Sequence, residues 1–455
     1  MRLLRTGPYE PGCEKFELVE KFGSQIPKYA ILSHTWGDDE VTYEHVRAPT
    51  AFERRLLSND SDATYERIRD QSVRECKAYS KVVGAMRQAA SDGHEYVWID
   101  TCCIDKSSSA ELSEAINSMY AWYERAEVCY AVLDGVPGPD AANFDAEFKE
   151  SRWFTRGWTL QELLAPKRVV FFGRLAAGSW VMLGDRRSLR SLISRSTRIS
   201  TKFLMDPENS DDADANIAQK MSWASGRETT REEDLAYCLL GLFSVNMPLM
   251  YGEGPRAFMR LQEEIMKISD DRTIFAWMHC PSQDALECGF EQRISYERLR
   301  NSELRELEFI GPQFTGLEPK ALIFWADTSH GLLADSPKAF LNSDEVGRWP
   351  NSFTKQLPYL MTNRGLSISL PLKAMSEDPL QNLYLADIGC CLLDDEDEPE
   401  GMARICVYLK RKGSLEGVDQ FARIRCEKLA LISEEETLTP ESAELTNIFV
   451  RQSNP

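Results

Sequence analysis

The fold class is decided by residues 95–134, which read EYVWIDTCCIDKSSSAELSEAINSMYAWYERAEVCYAVLD. Two short apolar runs, EYVWID (95–100) and VCYAVLD (128–134), flank a segment whose apolar residues keep helical spacing. Ser108 and Glu111 have the spacing of a capping box just before that segment. The pattern predicts a strand, a helix and a second strand. Because strands joined by a helical crossover run parallel, a parallel α/β unit follows.

The same alternation extends in both directions along the chain. YAILS (29–33) and RVVFF (168–172) are further strand-like runs, and a helical pattern from Val73 to Ala90 connects the first two strands. Another helix is predicted through Trp158 to Leu164, with Pro166 ending it. We therefore predict a flavodoxin-like α/β domain over residues 25–175, with a mostly parallel sheet that is covered on both faces.

The remaining chain changes character twice. Residues 176–280 predict a helical segment with an apolar helix at Leu235–Phe243, a helix beginning near Pro255 and an acidic loop at Met205–Asn216. Residues 281–455 predict an antiparallel β-rich domain. Its strand-like runs are ALIFWA (321–326), LSISLPL (366–372) and RICVYLKR (404–411), and the run DDEDEPE (394–400) is interpreted as a solvated loop.

Composition excludes several classes of function. The 455 residues carry a net charge of −19, which argues against nucleic acid or anionic membrane as partners. We expect no membrane-spanning helix and no secretory signal. Twelve cysteines and five histidines occur without metal-ligand spacing, so we predict reduced thiols and no metal site. Motifs typical of phosphate-binding loops, zinc proteases and nucleophile elbows are missing from the sequence.

Polar residues follow two of the predicted parallel strands. Ser33, His34 and Trp36 come at the end of the first strand, Asp100 closes the second, and Asp105 lies five residues further on. Ligands of open α/β sheets bind beyond the carboxyl ends of the strands, so this clustering predicts a cleft there. The alternative is that each residue makes turn hydrogen bonds or caps a loop.

A carboxylate stands out in SRWFTRGWTLQELL (151–164). On a helical projection Glu162 lies at the edge of an apolar arc, one turn beyond Trp158. A partly desolvated carboxylate at such an edge has strong electrostatic interactions, which favours a functional role. The alternative is a structural ion pair with Arg152 or Arg156.

Three blocks of the chain resemble the signature blocks of the fungal heterokaryon (vegetative) incompatibility HET domain. They are YAILSHTWGDDEVTYEHV (29–46), YVWIDTCCIDKSSSAELSEAINSMYAWYERAEVCYAVL (96–133) and SRWFTRGWTLQELLAPKRVVFF (151–172). The stretch REEDLAYCLLGLFSVNMPLMYGEGPRAFMRLQEEI (231–265) resembles the helical segment that commonly follows this domain. The resemblance implies a cytoplasmic effector of non-self recognition and programmed cell death, which acts through self-association and a protein partner.

The chain also resembles TIR domains, the α/β modules of innate immunity, through a strand ending in Ser, an S-x-W triplet and a later E-L pair. The resemblance implies that Glu162 is the catalytic carboxylate for cleavage of NAD, a candidate substrate, with no cofactor required. In that interpretation the ligand-binding residues are Ser33, His34, Trp36, Asp100, Asp105, Arg156 and Trp158. A non-catalytic signalling module acting by homotypic association and a small-nucleotide receptor remain as alternatives.

Overall fold

The computed structural model describes residues 1–7, 16–37, 40–47, 77–175, 179–205, 215–279, 304–308, 330–349, 358–375, 382–393, 399–415, 417–426, 428–433 and 445–452. Contacts divide the chain into two compact units. The first comprises Met1–Ala213 and Tyr237–Leu249, and the second comprises Asp214–Ala236 and Met250–Pro455. The domain boundaries predicted at residues 175 and 280 stay predictions.

The first unit contains a mixed sheet built around four parallel strands. Its strands are β1 (Arg2–Arg5), β2 (Leu18–Glu20), β3 (Ala30–His34), β4 (Tyr96–Trp98), β5 (Val128–Asp134), β6 (Val169–Arg174) and β7 (Trp180–Asp185). They lie in the order β2-β1-β4-β3-β5-β6-β7. The β4-β3-β5-β6 centre is parallel, whereas β1, β2 and β7 pair antiparallel.

The α/β class is confirmed, but the prediction of a mostly parallel sheet is wrong at both edges. The sequence pattern missed β1 because its buried part is only Leu3 and Leu4, flanked by arginines. It missed β7 because that strand is only partly buried and therefore lacks a continuous apolar run. The central strands are buried throughout most of their length, as parallel strands covered on both faces should be.

In the described part of the first unit, six helices lie between strands of the sheet and a seventh follows β7. They are α1 (Tyr43–Arg47), α2 (Lys77–Ser91), α3 (Asp100–Cys103), α4 (Ser109–Arg125), α5 (Phe144–Lys149), α6 (Thr159–Leu164) and α7 (Arg190–Thr197). Ser108 caps α4 by accepting a hydrogen bond from the Glu111 backbone N–H at 3.3 Å. The predicted capping box is only half formed, because the Glu111 carboxylate binds Arg2 and the backbone N–H of Asp105 instead.

The second unit combines helices with a β-sheet. Its helices are α8 (Ile217–Ser225), α9 (Asp234–Tyr237) and α10 (Arg256–Ile268). The last residue of α9 belongs to the first unit. The nine-stranded sheet comprises β8 (Leu304–Glu308), β9 (Val346–Arg348), β10 (Leu360–Thr362), β11 (Gly365–Ala374), β12 (Leu383–Leu393), β13 (Pro399–Leu415), β14 (Val418–Ile424), β15 (Lys428–Ser433) and β16 (Leu445–Val450). Pairing is antiparallel except between β14 and β16, so the β-rich prediction is confirmed.

Of the individual predictions for the second half of the chain, some are confirmed, some lie outside the described residues and one is wrong. LSISLPL lies within β11 and RICVYLKR within β13, as predicted. The run ALIFWA and most of the two acidic loops lie outside the described residues. The helix predicted at Leu235–Phe243 is wrong in length, because α9 ends at Tyr237. Residues 238–244 form turns instead, and Ser244 at their end has a left-handed backbone (φ 56°).

Eight of the cysteines lie among the described residues, and all eight are buried free thiols, as predicted. No helix in the described parts of the chain is long and apolar enough to cross a lipid bilayer.

Candidate functional site

Ser33 and Glu162 form a buried polar pair at the carboxyl end of β3. The Ser33 hydroxyl donates a hydrogen bond to the Glu162 carboxylate. It also accepts one from the indole Nε1–H of Trp153 at 2.8 Å. Ser33 is fully buried and Glu162 is 7% exposed. The carboxylate predicted from the sequence therefore contacts the predicted serine, and Trp153, which was not among the predicted site residues, also contacts this serine.

The segment before α6 fixes the position of Glu162. A 3-10 turn at Arg152–Thr155 precedes α6, and α6 itself confirms the helix predicted through Trp158 to Leu164. The Thr159 hydroxyl lies against the carbonyl oxygens of Trp153 and Arg156, which tie the turn to the first residue of α6. Local hydrogen bonding of this kind satisfies the backbone groups that a break between two helices exposes.

A buried arginine holds the other end of α6. Arg186 follows β7 and is 4% exposed. Its guanidinium donates to the carbonyl oxygens of Leu163, Leu164, Pro166 and Lys167 at 2.9, 3.4, 3.0 and 3.2 Å. A cation at a helix C-terminus satisfies the free carbonyls and interacts favourably with the helix dipole. Nothing in the sequence pattern marked Arg186, because its partners are backbone atoms.

Tyr123 of α4 lies beside the same carboxylate. Its hydroxyl donates to the carbonyl oxygen of Leu32 at 3.0 Å. Burial, together with the negative charge of Glu162, raises the pKa of Tyr123 well above its ordinary value. The phenol therefore stays protonated and neutral, and it adds a hydroxyl to the surroundings of Glu162.

A second cluster forms around Asp100, the first residue of α3. His34 Nε2 lies 3.0 Å from one carboxylate oxygen of Asp100, and Trp36 Nε1 donates to the other at 2.8 Å. The ammonium group of Lys106 lies 3.3 Å from the centre of the Trp36 ring, a cation–π contact. Burial raises the pKa of Asp100, but His34, Lys106 and Trp36 outweigh it and lower the pKa to about 2. Asp100 is therefore a stable anion.

This second cluster offers groups to a ligand. Trp36 is 47% exposed, so its ring is open to stacking on a flat base. The Nδ1 atom of His34 is buried, and within the described residues it has no hydrogen-bond partner. A buried polar atom without a partner is costly, which favours a ligand at this position.

The two clusters face opposite sides of the sheet. Ser33 and His34 are consecutive in β3, and successive side chains of a strand point to opposite faces. Their contacts agree, because Ser33 meets Glu162 whereas His34 meets Asp100. A ligand that uses both clusters must therefore lie beyond the end of β3, where both faces of the sheet can be reached.

Three further predicted ligand-binding residues lie apart from these pairs. The Asp105 carboxylate accepts hydrogen bonds from the backbone N–H and the hydroxyl of Ser107, at 3.0 and 2.6 Å, as in an Asx turn. These two bonds lower the pKa of Asp105. Arg156 and Trp158 are half-buried in the link to α6, where Trp158 occupies the N-cap position. In the structure the Asp105 side chain therefore stabilises a turn, whereas Arg156 and Trp158 lie next to α6.

Comparisons with known proteins agree with the resemblance seen in the sequence. The heterokaryon incompatibility protein (HET) family model matches residues 29–144, and a domain of unknown function, DUF8212, matches residues 256–442. The vegetative incompatibility protein HET-E-1 of Podospora anserina is 42% identical over 250 residues, which cover 53% of this chain but 16% of that protein. No solved structure matches the chain. The first unit of this chain is therefore similar to heterokaryon incompatibility (HET) domains.

Proposed function

We propose that this chain is a cytoplasmic effector of heterokaryon incompatibility whose HET domain hydrolyses NAD or a related nucleotide at Glu162. The observation that carries the proposal is the contact of a buried carboxylate with the serine that ends the first parallel strand. The related protein HET-E-1 is named for vegetative incompatibility, which supports the biological role. Self-association and a protein partner belong to the proposal.

The strand order supports a flavodoxin- or TIR-like interpretation of the first unit. Taken along the chain, the four parallel strands lie in the order second, first, third and fourth. This is the beginning of the flavodoxin-like order 2-1-3-4-5, in which ligands bind at the carboxyl ends of the first and third strands. In this chain those ends are at His34 of β3 and Asp134 of β5.

The chemistry requires one well-placed carboxylate. Water attacks C1′ of the ribose, the C1′–N bond breaks, and its electron pair neutralises the pyridinium nitrogen as nicotinamide leaves. The proton released from the water passes to solvent. The transition state resembles an oxocarbenium ion, as in glycoside hydrolysis. Glu162 would bind the ribose hydroxyls and stabilise the developing positive charge, an electrostatic contribution of several kcal/mol.

The second cluster would bind the remainder of the nucleotide. The exposed ring of Trp36 offers a surface for a base, and Lys106 at 3.3 Å from that ring offers a positive charge to the phosphates. The Nδ1 atom of His34, which bonds to none of the described residues, adds a hydrogen-bonding group. This arrangement supports a nucleotide that extends across the end of β3.

A second candidate function is a non-catalytic signalling module that acts by homotypic association. The burial of Glu162 favours it, since the Ser33 hydroxyl already occupies part of the carboxylate. In this case Glu162 joins α6 to β3, and its role is structural. The same contact thus supports either a closed catalytic site or a structural one.

The test measures free nicotinamide after concentrated protein is incubated with NAD. We expect release by the wild type, loss in Glu162→Gln, and no change in Glu150→Gln, which alters an exposed carboxylate of the same segment. Equal release by the wild type and Glu162→Gln would remove Glu162 from the mechanism. No release from assembled protein that still kills cells would leave the signalling function. If NAD instead binds without turnover, the domain is a nucleotide receptor.

A further inference from the structure

A cluster of metal-ligating side chains lies in the second unit. His279, His330 and Asp335 place one ligand atom each within 4.8 Å of one another. Two of the five histidines of the chain thus meet, although they are far apart in the sequence. Short Cys/His spacings reveal only local metal sites, which explains why the sequence predicted none.

The backbone around the end of β14 holds both histidines in place. His330 and Arg423 exchange two backbone hydrogen bonds of 2.8 Å each. The backbone N–H of His279 donates to the carbonyl oxygen of Cys426, also at 2.8 Å. The fully buried Arg423 side chain adds hydrogen bonds to the carbonyl oxygens of Phe275 and Trp277. The two imidazoles therefore start from fixed backbone positions.

The segment that carries Asp335 is fixed in the same way. The backbone N–H and C=O of Ala334 bond to the side-chain amide of Gln262, at 2.9 and 2.8 Å. Gln262 is fully buried. Trp277 donates its indole N–H to the carbonyl oxygen of Leu332 at 2.6 Å. Metal sites need such outer contacts, because they hold the ligands near the binding geometry.

The side chains of His279 and Asp335, unlike their backbone, keep freedom to rotate. His279 Nε2 is buried and, among the described residues, makes no hydrogen bond, while it lies 3.7 Å from Asp335 Oδ2. The His279 and His330 ring centres are 4.7 Å apart. The side chains of His279 and Asp335 are 29% and 36% exposed, which provides an entry path for an ion.

We propose that His279, His330 and Asp335 bind one divalent first-row transition-metal ion. Two imidazoles and one carboxylate are the ligands that zinc and iron(II) share in open sites, whereas Mg²⁺ and Ca²⁺ prefer oxygen alone. Metal–ligand bonds of roughly 2.0–2.2 Å require the ligand atoms to approach one another more closely than they do here. Rotation of the partly exposed His279 and Asp335 side chains supplies this movement.

The nearby positive charge makes the carboxylate essential. The Arg423 guanidinium lies 3.9 Å from the centre of the Trp277 ring, next to His279. A fixed cation near the site repels a divalent ion, and the Asp335 carboxylate offsets that repulsion. Removal of this charge should therefore weaken binding as strongly as removal of an imidazole.

Calorimetric titration of the reduced full chain with Zn²⁺ tests the proposal, with Mg²⁺ as the comparison ion. We expect one Zn²⁺ whose affinity falls at least about tenfold in His279→Ala and in the isosteric Asp335→Asn. His94→Ala, a histidine of the other unit, should change nothing. Cobalt substitution should give a visible spectrum without thiolate charge transfer, which distinguishes this site from binding at the twelve cysteines.

Two results would overturn the proposal. One is wild-type protein that binds no Zn²⁺. The other is Zn²⁺ binding of the same affinity and stoichiometry in His279→Ala and Asp335→Asn, with circular dichroism and melting temperature showing that both variants fold. Because these measurements do not involve NAD or Glu162, their failure leaves the proposed function of the HET domain unaffected.

Discussion

The Ser33–Glu162 hydrogen bond predicts a measurable coupling between the two side chains. Ser33→Ala removes a donor from a buried carboxylate and leaves the indole N–H of Trp153, itself 1% exposed, without its acceptor. A hydrogen bond to a charged group contributes roughly 1.5–3 kcal/mol, and a stranded buried donor costs roughly 1–3 kcal/mol. Since the two effects are not additive, we expect the free energy of unfolding of the first unit to fall by about 3 kcal/mol.

Glu162→Gln should have a smaller effect, because the amide oxygen still accepts the Ser33 hydroxyl. The hydrogen bond loses only its charge assistance, which corresponds to about 1–2 kcal/mol. In the double variant, each substitution affects a hydrogen bond whose other side chain has already been replaced. The two destabilisations should therefore fall short of additivity by about 1 kcal/mol or more, which is the coupling free energy of the pair.

Calorimetry and urea unfolding of the four proteins measure this coupling. About 3 kcal/mol in a unit of this size corresponds to a fall in melting temperature of about 6–12 °C. Ser109→Ala, an exposed serine at the start of α4, is the matched control and should stay within about 0.5 kcal/mol of the wild type. Additive effects of Ser33→Ala and Glu162→Gln would refute a direct hydrogen bond between the two side chains.

The same variants separate catalysis from structure. Ser33→Ala keeps the carboxylate, so nicotinamide release per folded molecule should persist if Glu162 is catalytic, whereas Glu162→Gln should abolish it. If Glu162 is only structural, loss of cell killing should follow loss of stability in both variants. Melting temperature alone cannot distinguish these cases, because the hydrogen bond makes Glu162 stabilising in either one.

Three further predictions concern the framework around the site. Arg186→Met should lower the free energy of unfolding by about 3 kcal/mol in urea titrations, because several carbonyls at the end of α6 lose their donor, while the exposed Arg187→Met should have no effect. Gly241→Ala should lower the melting temperature, corresponding to about 1–3 kcal/mol, since its new Cβ would lie 2.0 Å from the Cβ of Tyr120. The pKa of Asp100 falls from 3.8 to about 2 on folding, so its contribution of about 2 kcal/mol is present at neutral pH and is lost as pH falls through about 2. Asp100→Asn should therefore destabilise the protein at pH 7, and unfolding curves should converge with those of the wild type near pH 2.

Periodicity and strand-end chemistry predicted the central sheet well. The four parallel strands and the helix after Ser108 follow from patterns that depend on local sequence alone. The same patterns brought Ser33 into consideration as a residue at a strand end, and Glu162 as a carboxylate at the edge of an apolar helical arc. The sequence analysis did not predict on which face of the sheet each side chain lies, because it placed Ser33 and His34 together at the end of β3. Alternation along β3 separates Ser33 from His34.

The remaining features arise from contacts between distant segments. Arg186 binds carbonyl oxygens, and every residue has a carbonyl, so no side-chain pattern marks its partners. Trp153 is buried like a core residue, and its single N–H gives it a polar role as well. His279 and His330 meet only because both segments bind near the end of β14. Contacts between such distant residues depend on the tertiary fold, which the local patterns of a single sequence do not reveal.

The Ser33–Glu162 contact also sets how strongly the proposed site is closed. For a ribose hydroxyl to take the place of Ser33 on the Glu162 carboxylate, this hydrogen bond must break, and breaking a charged hydrogen bond costs roughly 1.5–3 kcal/mol. The open form is then about 10- to 150-fold less populated, and the apparent affinity for substrate falls by the same factor. Self-association that favours the open form would recover this factor, so nicotinamide release should rise faster than linearly with protein concentration. Ser33→Ala removes the restraint, and its specific activity should vary less with concentration than that of the wild type. Identical concentration dependence in both proteins would mean that this hydrogen bond does not close the site.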